Sequence, residues 1–215
     1  MLLAGVVDPA NKRRPASERE LVEVLDETMA AMHEGQIPYL FIGAIGSIVF
    51  GRDRGTDDID LFVHPEDARR TLDALAARGF DTRVEYEHWL YKAFKHGVLV
   101  DVIFRSTGDI MLDDEMLSRA VTVPFRGREV PVAAPEDLVV MKAVAASEDT
   151  PRYWYDAIAI IAQTELEWDY LVTRARRYGA RRILSLLLFA DSIDIVVPRA
   201  PIERLYEATT GREVA

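Results

Sequence analysis

Aspartates occur inside two segments that otherwise have the character of buried β-strands. Residues 58–63 read DIDLFV and alternate acidic and apolar side chains with the period of two that a β-strand requires. Asp58 and Asp60 therefore point to one face of that strand, and the apolar residues between and after them point to the opposite face and into a core. Asp101 interrupts a second apolar run, VLVDVIF, which predicts another strand of the same sheet. The fold must therefore supply positive charge or hydrogen-bond donors that offset the negative charge of all three carboxylates.

A shared divalent cation would make three neighbouring carboxylates tolerable. A carboxylate in an apolar strand is costly to bury alone, and like charges on one face repel each other. Oxygen ligands of this type suit Mg²⁺ or Mn²⁺, which keep some waters and take other ligands from substrate phosphates. We predict that Asp58, Asp60 and Asp101 bind the metal and are catalytic. In the alternative interpretation, Asp58 and Asp60 lie on a solvated strand face and Asp101 forms a buried salt bridge.

A phosphate-binding turn is predicted upstream of the acids. Residues 38–43, PYLFIG, indicate a short strand, and the segment AIGSIVFG after it predicts one or two helical turns. Backbone N–H groups of Gly43 and Ala44 at this helix start suit phosphate oxygens, and small residues let a phosphate approach closely. Arg54 and Thr56 lie just before the acids and complete the predicted nucleotide site on this side.

The segment FIGAIGSIVFGRDRGTDDIDLFV resembles the core motif of the nucleotidyltransferase superfamily, whose fold is shared with DNA polymerase beta. More narrowly, it is similar to the AbiEii-like nucleotidyltransferases, many of which are toxins of toxin–antitoxin or phage-defence pairs. In that group a strand ends in Gly-Gly or Gly-Ser, and Arg-x-Thr-x-Asp-Ile-Asp-Leu follows. Residues 54–61, RGTDDIDL, match this pattern in full. Ala44 departs from it, so phosphate contact there relies on backbone N–H groups or on Ser47 one turn later.

The resemblance extends to about residue 165 and implies further site residues. Residues 135–138, PEDL, lead to Lys142, and Asp156 follows on the next predicted helix. By resemblance, Lys142 contacts a nucleotide phosphate and takes part in catalysis, and Asp156 belongs to the nucleotide site. Taken from the residues alone, a lysine on an apolar helix face extends its amine to solvent, and Asp156 pairs with Arg152 or Lys142.

The order of predicted elements indicates an α/β part followed by an all-helical part. Ser17 and Glu20 form a capping box that opens a helix ending near Gly35. Further elements are predicted as a helix from Pro65, strands at 80–86, 88–95 and 98–104, a helix at 112–119, two short strands around the turn at 126–128, and helices from 135 to about 197. We expect the α/β nucleotidyltransferase fold in residues 1–134, a small mixed twisted sheet flanked by helices on one face. A C-terminal helical bundle in residues 135–215 should close the cleft.

Composition excludes several classes of function. The 215 residues include no cysteine, so disulfides, thiolate metal sites and a cysteine nucleophile are excluded. The net charge of -10 argues against indiscriminate binding to nucleic acid, and the arginines between 174 and 182 are interpreted as a solvated helix face. The apolar N-terminal run precedes its basic residues, unlike a signal peptide, and no apolar run has the length of a membrane span. We expect a cytoplasmic protein with no membrane partner.

Together these features predict metal-dependent transfer of a nucleoside monophosphate from an NTP to a hydroxyl acceptor. The resemblance implies that the acceptor is RNA, for example a tRNA end, or a protein, and that the enzyme is a toxin whose partner is a cognate antitoxin. Two alternatives stay open: a small-molecule transferase of the aminoglycoside-modifying kind, and a nucleotide-binding or interaction module without catalysis, which Ala44 would favour. The nucleotide is expected between the two parts of the chain, with Arg52 and Arg54 supplying positive charge.

Overall fold

A computed structural model describes residues 16–52 and 55–211, and within these ranges it contains seven strands and nine α-helices. The strands are β1 (Tyr39–Phe41), β2 (Asp58–Val63), β3 (Asp81–Tyr86), β4 (Leu90–Lys95), β5 (Val98–Ile103), β6 (Val121–Phe125) and β7 (Arg128–Val132). The helices are α1 (Glu18–Gly35), α2 (Gly43–Phe50), α3 (Ala68–Ala77), α4 (Asp114–Ser118), α5 (Pro135–Ala145), α6 (Arg152–Gln163), α7 (Trp168–Tyr178), α8 (Ala180–Ser192) and α9 (Arg199–Thr210).

The seven strands form one mixed sheet in the order β3-β4-β5-β2-β1-β7-β6. The pairs β2–β5 and β1–β7 are parallel, and the other neighbouring pairs are antiparallel. The predicted mixed sheet with flanking helices and C-terminal helices is therefore confirmed.

Alternation along β2 and β5 separates a core face of the sheet from a face that carries the acids, which we call the acid face. Ile59 and Val100, register partners in the parallel pair, are fully buried on the core face. Lys95 at the end of β4 points to the same side, where its amine contacts Glu27 of α1. On the acid face, α2 approaches closely, since the N–H of Ala44 reaches the Asp60 carboxylate. Helices thus lie on both faces, and the prediction of helices on one face was wrong.

Most predicted elements agree with the structure to within two residues at each end. The three strands predicted between residues 80 and 104, the short strands on either side of the 126–128 turn, and the helix near 112–119 are all present. The capping box is formed in both directions: the N–H of Glu20 donates to Ser17 Oγ, and the N–H of Ser17 donates to the Glu20 carboxylate. Local hydrogen bonding and apolar periodicity were sufficient for these elements.

The C-terminal end of the chain differs from the prediction. Helix α8 ends at Ser192 rather than near 197, and Asp194 adopts a left-handed conformation with φ of 65° that stops it. Helix α9 was not predicted. It follows Pro198, and Pro201 lies in its first turn, where a backbone N–H has no intrahelical acceptor to lose.

The α/β part and the helical part share a hydrophobic core. Helices α2 and α5 approach so closely that a Cβ on Gly46 would lie 2.6 Å from Cδ1 of Leu138, and buried residues of both parts belong to the same apolar cluster. The division into domains 1–134 and 135–215 stays a prediction. Within the described ranges, no helix has the length and apolarity needed to cross a membrane.

A buried arginine joins α7 and α5 of the helical part to the segment just before α4. Arg174 of α7 is 2% exposed, and its Nη1 donates to Asp113 Oδ2 at 2.8 Å just before α4. Its Nε lies 2.8 Å from Asp137 Oδ1 of α5, an ion pair without hydrogen-bond geometry. The hydroxyl of Tyr170 donates to the other oxygen of Asp137 at 2.8 Å. Arg174 is therefore an interior residue and does not belong to the solvated arginine face, whereas Arg182 is exposed.

We expect Arg174→Ala to lower the free energy of unfolding by ~3–5 kcal/mol, because Asp137 would be left buried without its cation. Urea denaturation measures the change. The matched control is Arg182→Ala, which removes an exposed arginine and should change stability by less than ~0.5 kcal/mol. Equal effects of the two substitutions would contradict the structural role of Arg174.

Candidate active site

The three predicted metal ligands lie on one face of two central strands. Asp60 of β2 and Asp101 of β5 are direct partners in the parallel register, and Asp58 lies two residues before Asp60 on the same strand. Neighbouring strands are about 4.8 Å apart, so the carboxylates of Asp60 and Asp101 are neighbours. The structure thus brings the three acids together on the acid face. That they bind metal stays a prediction.

Asp60 packs directly against the start of α2. A Cβ added to Gly43, whose φ is 56°, would lie 1.8 Å from Asp60 Oδ2, so a larger residue cannot replace this glycine without moving the carboxylate. The N–H of Ala44 donates to the same oxygen at 3.2 Å. The positive end of the α2 dipole therefore stabilises the negative charge of Asp60. The helix start that was predicted to contact phosphate holds a carboxylate of the site in this structure.

Thr56 holds the remaining acid of β2. Its hydroxyl lies 2.6 Å from Asp58 Oδ1, and the N–H of Asp58 donates to Thr56 Oγ1 at 3.3 Å. Thr56 thereby orients the Asp58 carboxylate. The contact of Thr56 with a nucleotide stays a prediction, and the contact predicted for Arg54 concerns a residue outside the described ranges.

Among the three acids, Asp101 has the weakest contacts with groups that could offset its negative charge. Its side chain is 18% exposed, its Oδ1 is buried and has no hydrogen-bond partner, and its ion-pair partner Lys92 is 3.9 Å away. Burial, followed by the charges of Asp60 and Asp58, raises the pKa of Asp101 to about 7, and Lys92 opposes the shift. An acid with a raised pKa beside two further acids is typical of a functional site.

The residues present fit a divalent cation. Asp101 Oδ1 has no hydrogen-bond partner and lies 3.9 Å from Lys92, while the charges of Asp60 and Asp58 act on the same carboxyl, so a cation bound there would offset an excess of negative charge. Among the described residues, no three histidine or acidic side chains already stand in a metal-binding arrangement. We attribute this to Asp58 and Asp60, whose carboxylates are turned toward the protein donors of Thr56 and Ala44.

A buried polar layer of Ser47, Lys142 and Asp156 lies beneath the Gly43 turn. The Lys142 amine donates to the Gly43 carbonyl at 3.0 Å and lies 3.4 Å from Asp156 Oδ2. The Ser47 hydroxyl is 3.0 Å from both the Gly43 carbonyl and the Asp156 carboxylate, and its single proton serves one of them at a time. Arg52 approaches Asp156 from the solvent side at 3.5 Å. This layer ties α2, α5 and α6 together under the site.

The burial of this layer changes how its members can act. Lys142 is not extended to solvent, since its side chain is only 6% exposed, and Asp156 pairs with it as one interpretation of the sequence expected. Ser47 and Asp156 have no exposed surface, so a direct contact with a nucleotide would require the layer to open. Their nucleotide-binding roles, like the catalytic role of Lys142, stay predictions.

Lys92 and Arg152 were not among the predicted site residues. The tight turn at His96 and Gly97, both with positive φ, aligns β4 with β5 so that Lys92 lies opposite Asp101. Had the turn at His96 and Gly97 been recognised in the sequence, pairing the strands outward from it would have placed Lys92 opposite Asp101. Arg152 begins α6, and its pKa is raised mainly by Tyr153 and further by the charges of Asp58 and Asp156. The sequence indicated Arg152 only as a possible partner of Asp156, and its place near Asp58 depends on how α6 packs over the sheet.

Gly43→Ala should displace the Asp60 carboxylate, because the new Cβ would overlap its oxygen and φ is positive. We expect a loss of ~1–3 kcal/mol in stability and the loss of the stabilisation that Mn²⁺ gives the wild type in thermal melts. Gly55→Ala is the matched control, since a Cβ at Gly55 meets nothing within 4 Å. A Gly43→Ala variant with wild-type stability and an intact Mn²⁺ response would contradict the proposed packing.

Asp101 should make metal-free protein less stable as the pH rises from about 4 to about 7. The unfolded carboxyl ionises near its ordinary pKa of 3.8, whereas the folded pKa is about 7. Across this range only the unfolded state loses the proton, which lowers the free energy of unfolding by up to ~4 kcal/mol. Asp101→Asn cannot ionise, so its stability relative to wild type should increase progressively over the same range in melts recorded with EDTA.

A divalent cation favours the ionised carboxylate, so Mg²⁺ at pH 8 should reduce or reverse the advantage of Asp101→Asn. A constant difference between the two proteins from pH 4 to pH 8 would show that Asp101 does not have the raised pKa.

Comparison with known proteins relates this geometry to a family. Residues 52–190 match the model of a family described as uncharacterised nucleotidyltransferase. No curated protein matches the sequence significantly. Among solved structures, the antibiotic-resistance factor ANT(2″)-Ia is 16% identical, with a TM-score of 0.50 over 83% of this chain and 95% of that chain.

Two further solved structures are similar at lower scores. The lincosamide antibiotic adenylyltransferase LnuA, bound to lincomycin, is 15% identical with a TM-score of 0.48 and covers 68% of this chain and 99% of its own. The nucleotidyltransferase toxin MenT4 from Mycobacterium tuberculosis is 13% identical with a TM-score of 0.39. The match covers 86% of this chain and 70% of MenT4. At such identities the likeness to ANT(2″)-Ia concerns the fold alone. Because the family match spans more than half of the chain and includes all three acids of the site, the protein is an enzyme of the nucleotidyltransferase family described as uncharacterised.

Proposed function

We propose that the protein transfers a nucleoside monophosphate from an NTP to a hydroxyl of RNA, with Asp58, Asp60 and Asp101 holding divalent cations, Mg²⁺ or Mn²⁺. The observation that carries the proposal is the direct pairing of Asp60 with Asp101 in the β2–β5 register, with Asp58 on the same face. The unpartnered buried oxygen of Asp101 supports it further, because an acid in this environment needs a positive charge.

The reaction needs an acceptor hydroxyl aligned with the α-phosphate of the NTP. The hydroxyl oxygen forms a bond to the α-phosphorus, the bond from that phosphorus to the bridging oxygen of the β-phosphate breaks, and pyrophosphate leaves. Divalent cations held by Asp58, Asp60 and Asp101 would lower the pKa of the attacking hydroxyl and neutralise charge on the phosphates. Asp101, whose Oδ1 accepts no hydrogen bond from the described residues, is suited to receive the proton of the hydroxyl.

The triphosphate belongs on the Asp58 side of the site. Arg52 lies beside Asp156 and Arg152 acts on Asp58 and Asp156, so two exposed arginines supply positive charge there. Thr56 orients Asp58 there, and Gly43 leaves the space beside α2 that the Asp60 carboxylate occupies. In this proposal the buried polar layer has mainly a positioning role. Ser47 and Lys142 donate hydrogen bonds to the Gly43 carbonyl, Asp156 holds both of them, and the start of α2 is thereby fixed.

The finer assignment is an AbiEii-like toxin. Its support is the full match of residues 54–61 to the motif of that group, together with Lys142 and Asp156 in one polar layer. A cognate antitoxin would then be the protein partner. The module without catalysis loses its main support, since Ala44 contributes a backbone N–H to Asp60, which any residue except proline could supply.

The second candidate is a small-molecule transferase of the aminoglycoside-modifying kind. The observation in its favour is the net charge of -10, which suits a cationic acceptor. The two candidates differ in the acceptor and share the acidic site.

Incubation of the purified protein with each α-³²P-labelled NTP and Mg²⁺ should label total RNA when one of the four nucleotides is present. Parallel reactions contain an aminoglycoside mixture or a cell lysate depleted of nucleic acid. Asp60→Asn removes one proposed metal ligand, and we expect it to lower transfer by roughly a hundredfold or more while the melting temperature in EDTA is retained.

Label in the aminoglycoside reaction alone would favour the second candidate, and label on protein alone would move the acceptor to a polypeptide hydroxyl. The proposal of metal-dependent transfer is abandoned if no acceptor class is labelled with Mg²⁺ or Mn²⁺, or if Asp60→Asn transfers at the wild-type rate.

A further inference from the structure

Helix α8 presents an apolar face to solvent. Leu188 and Phe189 are 48% and 40% exposed, and Ile193, one turn after Phe189, is 48% exposed. The ring of Phe189 lies 6.4 Å from that of Trp154, so the apolar surface continues onto α6. Large apolar side chains grouped on one surface indicate a contact with another molecule.

Two serines lie between the large side chains of this face. At 3.6 residues per turn, Ser185 and Ser192 are about 20° apart on the helix surface, with Leu188 on one side of them and Phe189 on the other. Their hydroxyls donate to carbonyls of α8 itself, at 2.9 and 2.7 Å. A second helix could therefore cover both serines without leaving a hydroxyl proton unbonded, and small side chains let two helix axes approach to ~8 Å.

The charges at the two ends of α8 are placed against the helix dipole. Arg181 and Arg182 lie in the first turn, Asp191 lies in the last turn, and Asp194 follows the end of the helix. The first turn is the positive end of a helix, so cations there and an anion at the other end destabilise it. Packing inside the chain gives no reason for this order of charges.

These four charged side chains are exposed, and none has an ion-pair or hydrogen-bond partner among residues 16–52 and 55–211. Most other arginines of these ranges pair with an acid. The ends of α8 thus offer two cations and two anions to a partner, on either side of an apolar centre.

A second α8 that runs in the opposite direction is complementary to this face. Arg182 lies six residues before Leu188 and Asp194 lies six residues after it. In an antiparallel pair that crosses at Leu188, Arg182 of each copy therefore lies beside Asp194 of the other copy. The positive end of each helix then meets the negative end of the other, which reverses the unfavourable effect of the charges on the dipole.

We infer that two copies of this chain associate through the exposed face of α8, antiparallel about a two-fold axis near Leu188 and Phe189. An isologous interface requires a surface that is complementary to itself, and the order of cations, apolar side chains and anions along α8 has this property. The inference goes beyond the proposed function and does not depend on it, since α8 packs mainly on α5, α6, α7 and α9 and carries none of the proposed site residues. An interface built around one helix is at the small end of specific interfaces, so we expect a dissociation constant of ~1–10 µM.

Sedimentation equilibrium of the full chain, without nucleotide or divalent ions, measures the association. Leu188→Glu brings two carboxylates together at the apolar centre of the dimer, so the dissociation constant should rise at least about tenfold. Val84→Glu is the matched control, because Val84 is 43% exposed on the edge strand β3, and the dimer should persist in it. Circular dichroism checks that both variants are folded.

A charge exchange tests the antiparallel arrangement. The pair Arg181→Glu and Arg182→Glu makes both ends of α8 acidic. The pair Asp191→Lys and Asp194→Asn leaves the cations at one end and replaces the anions at the other, and asparagine tolerates the left-handed backbone of Asp194. Each double variant should be monomeric alone, because like charges meet at both ends, and an equimolar mixture of the two should form a heterodimer.

The inference is overturned if the wild type stays monomeric up to ~100 µM, about ten times the expected dissociation constant. In that case the face is left to a different protein. A dimer that Leu188→Glu leaves unchanged would use another surface, and a mixture of the charge variants that stays monomeric would exclude the antiparallel pairing; both results overturn the inference. A protein that dimerises in this way and transfers no label would lose the proposed reaction alone, whereas a monomer that transfers label would lose the dimer alone.

Discussion

The parallel pairing of β2 with β5 is the interaction on which the rest of the site depends. Ile59, Leu61, Val100 and Val102 are fully buried on the core face, and a slip of one residue would bring each of the paired strands' aspartates into that core. The apolar core therefore fixes the register, and the register makes Asp60 and Asp101 neighbours. Packing on the core face therefore holds the acids close together despite their repulsion, although Asp101 Oδ1 has no hydrogen-bond partner.

The start of α2 connects the acids on the sheet to the helical part of the chain. Gly43 lets Asp60 pack against the helix backbone, and its carbonyl accepts a hydrogen bond from Lys142 of α5. Asp156 of α6 in turn holds Lys142, so the position of an acid on the sheet is coupled to two helices beyond residue 134. Because these groups are buried, each one is costly to leave unpaired, and the layer is expected to behave as a unit.

Charge is divided across the acid face. Arg52 and Arg152 lie toward Asp58, and Lys92 and Arg83 lie toward β3, with the three acids between them. Cations thus lie on both sides of one acidic centre in a protein whose net charge is -10, and those toward β3 are paired with acids. Electrostatic attraction confined to a small region favours selective rather than indiscriminate binding of polyanions.

Local pattern in the sequence was enough to predict the mixed sheet, the capped first helix and the three acids on strand faces, because alternation and short-range hydrogen bonding act over a few residues. The nucleotidyltransferase family was predicted from the resemblance of one motif. It could not predict that Lys142 is buried under Gly43, that Arg174 is an interior residue, or that Arg152 lies near Asp58, since these depend on how helices pack against each other. Helix α9 was missed for a related reason: its stability comes from packing on α7 and α8. The residue types of the site were determined by the sequence, whereas their partners, burial and charge states were decided by the tertiary structure, because residues far apart in the chain meet only in the folded core.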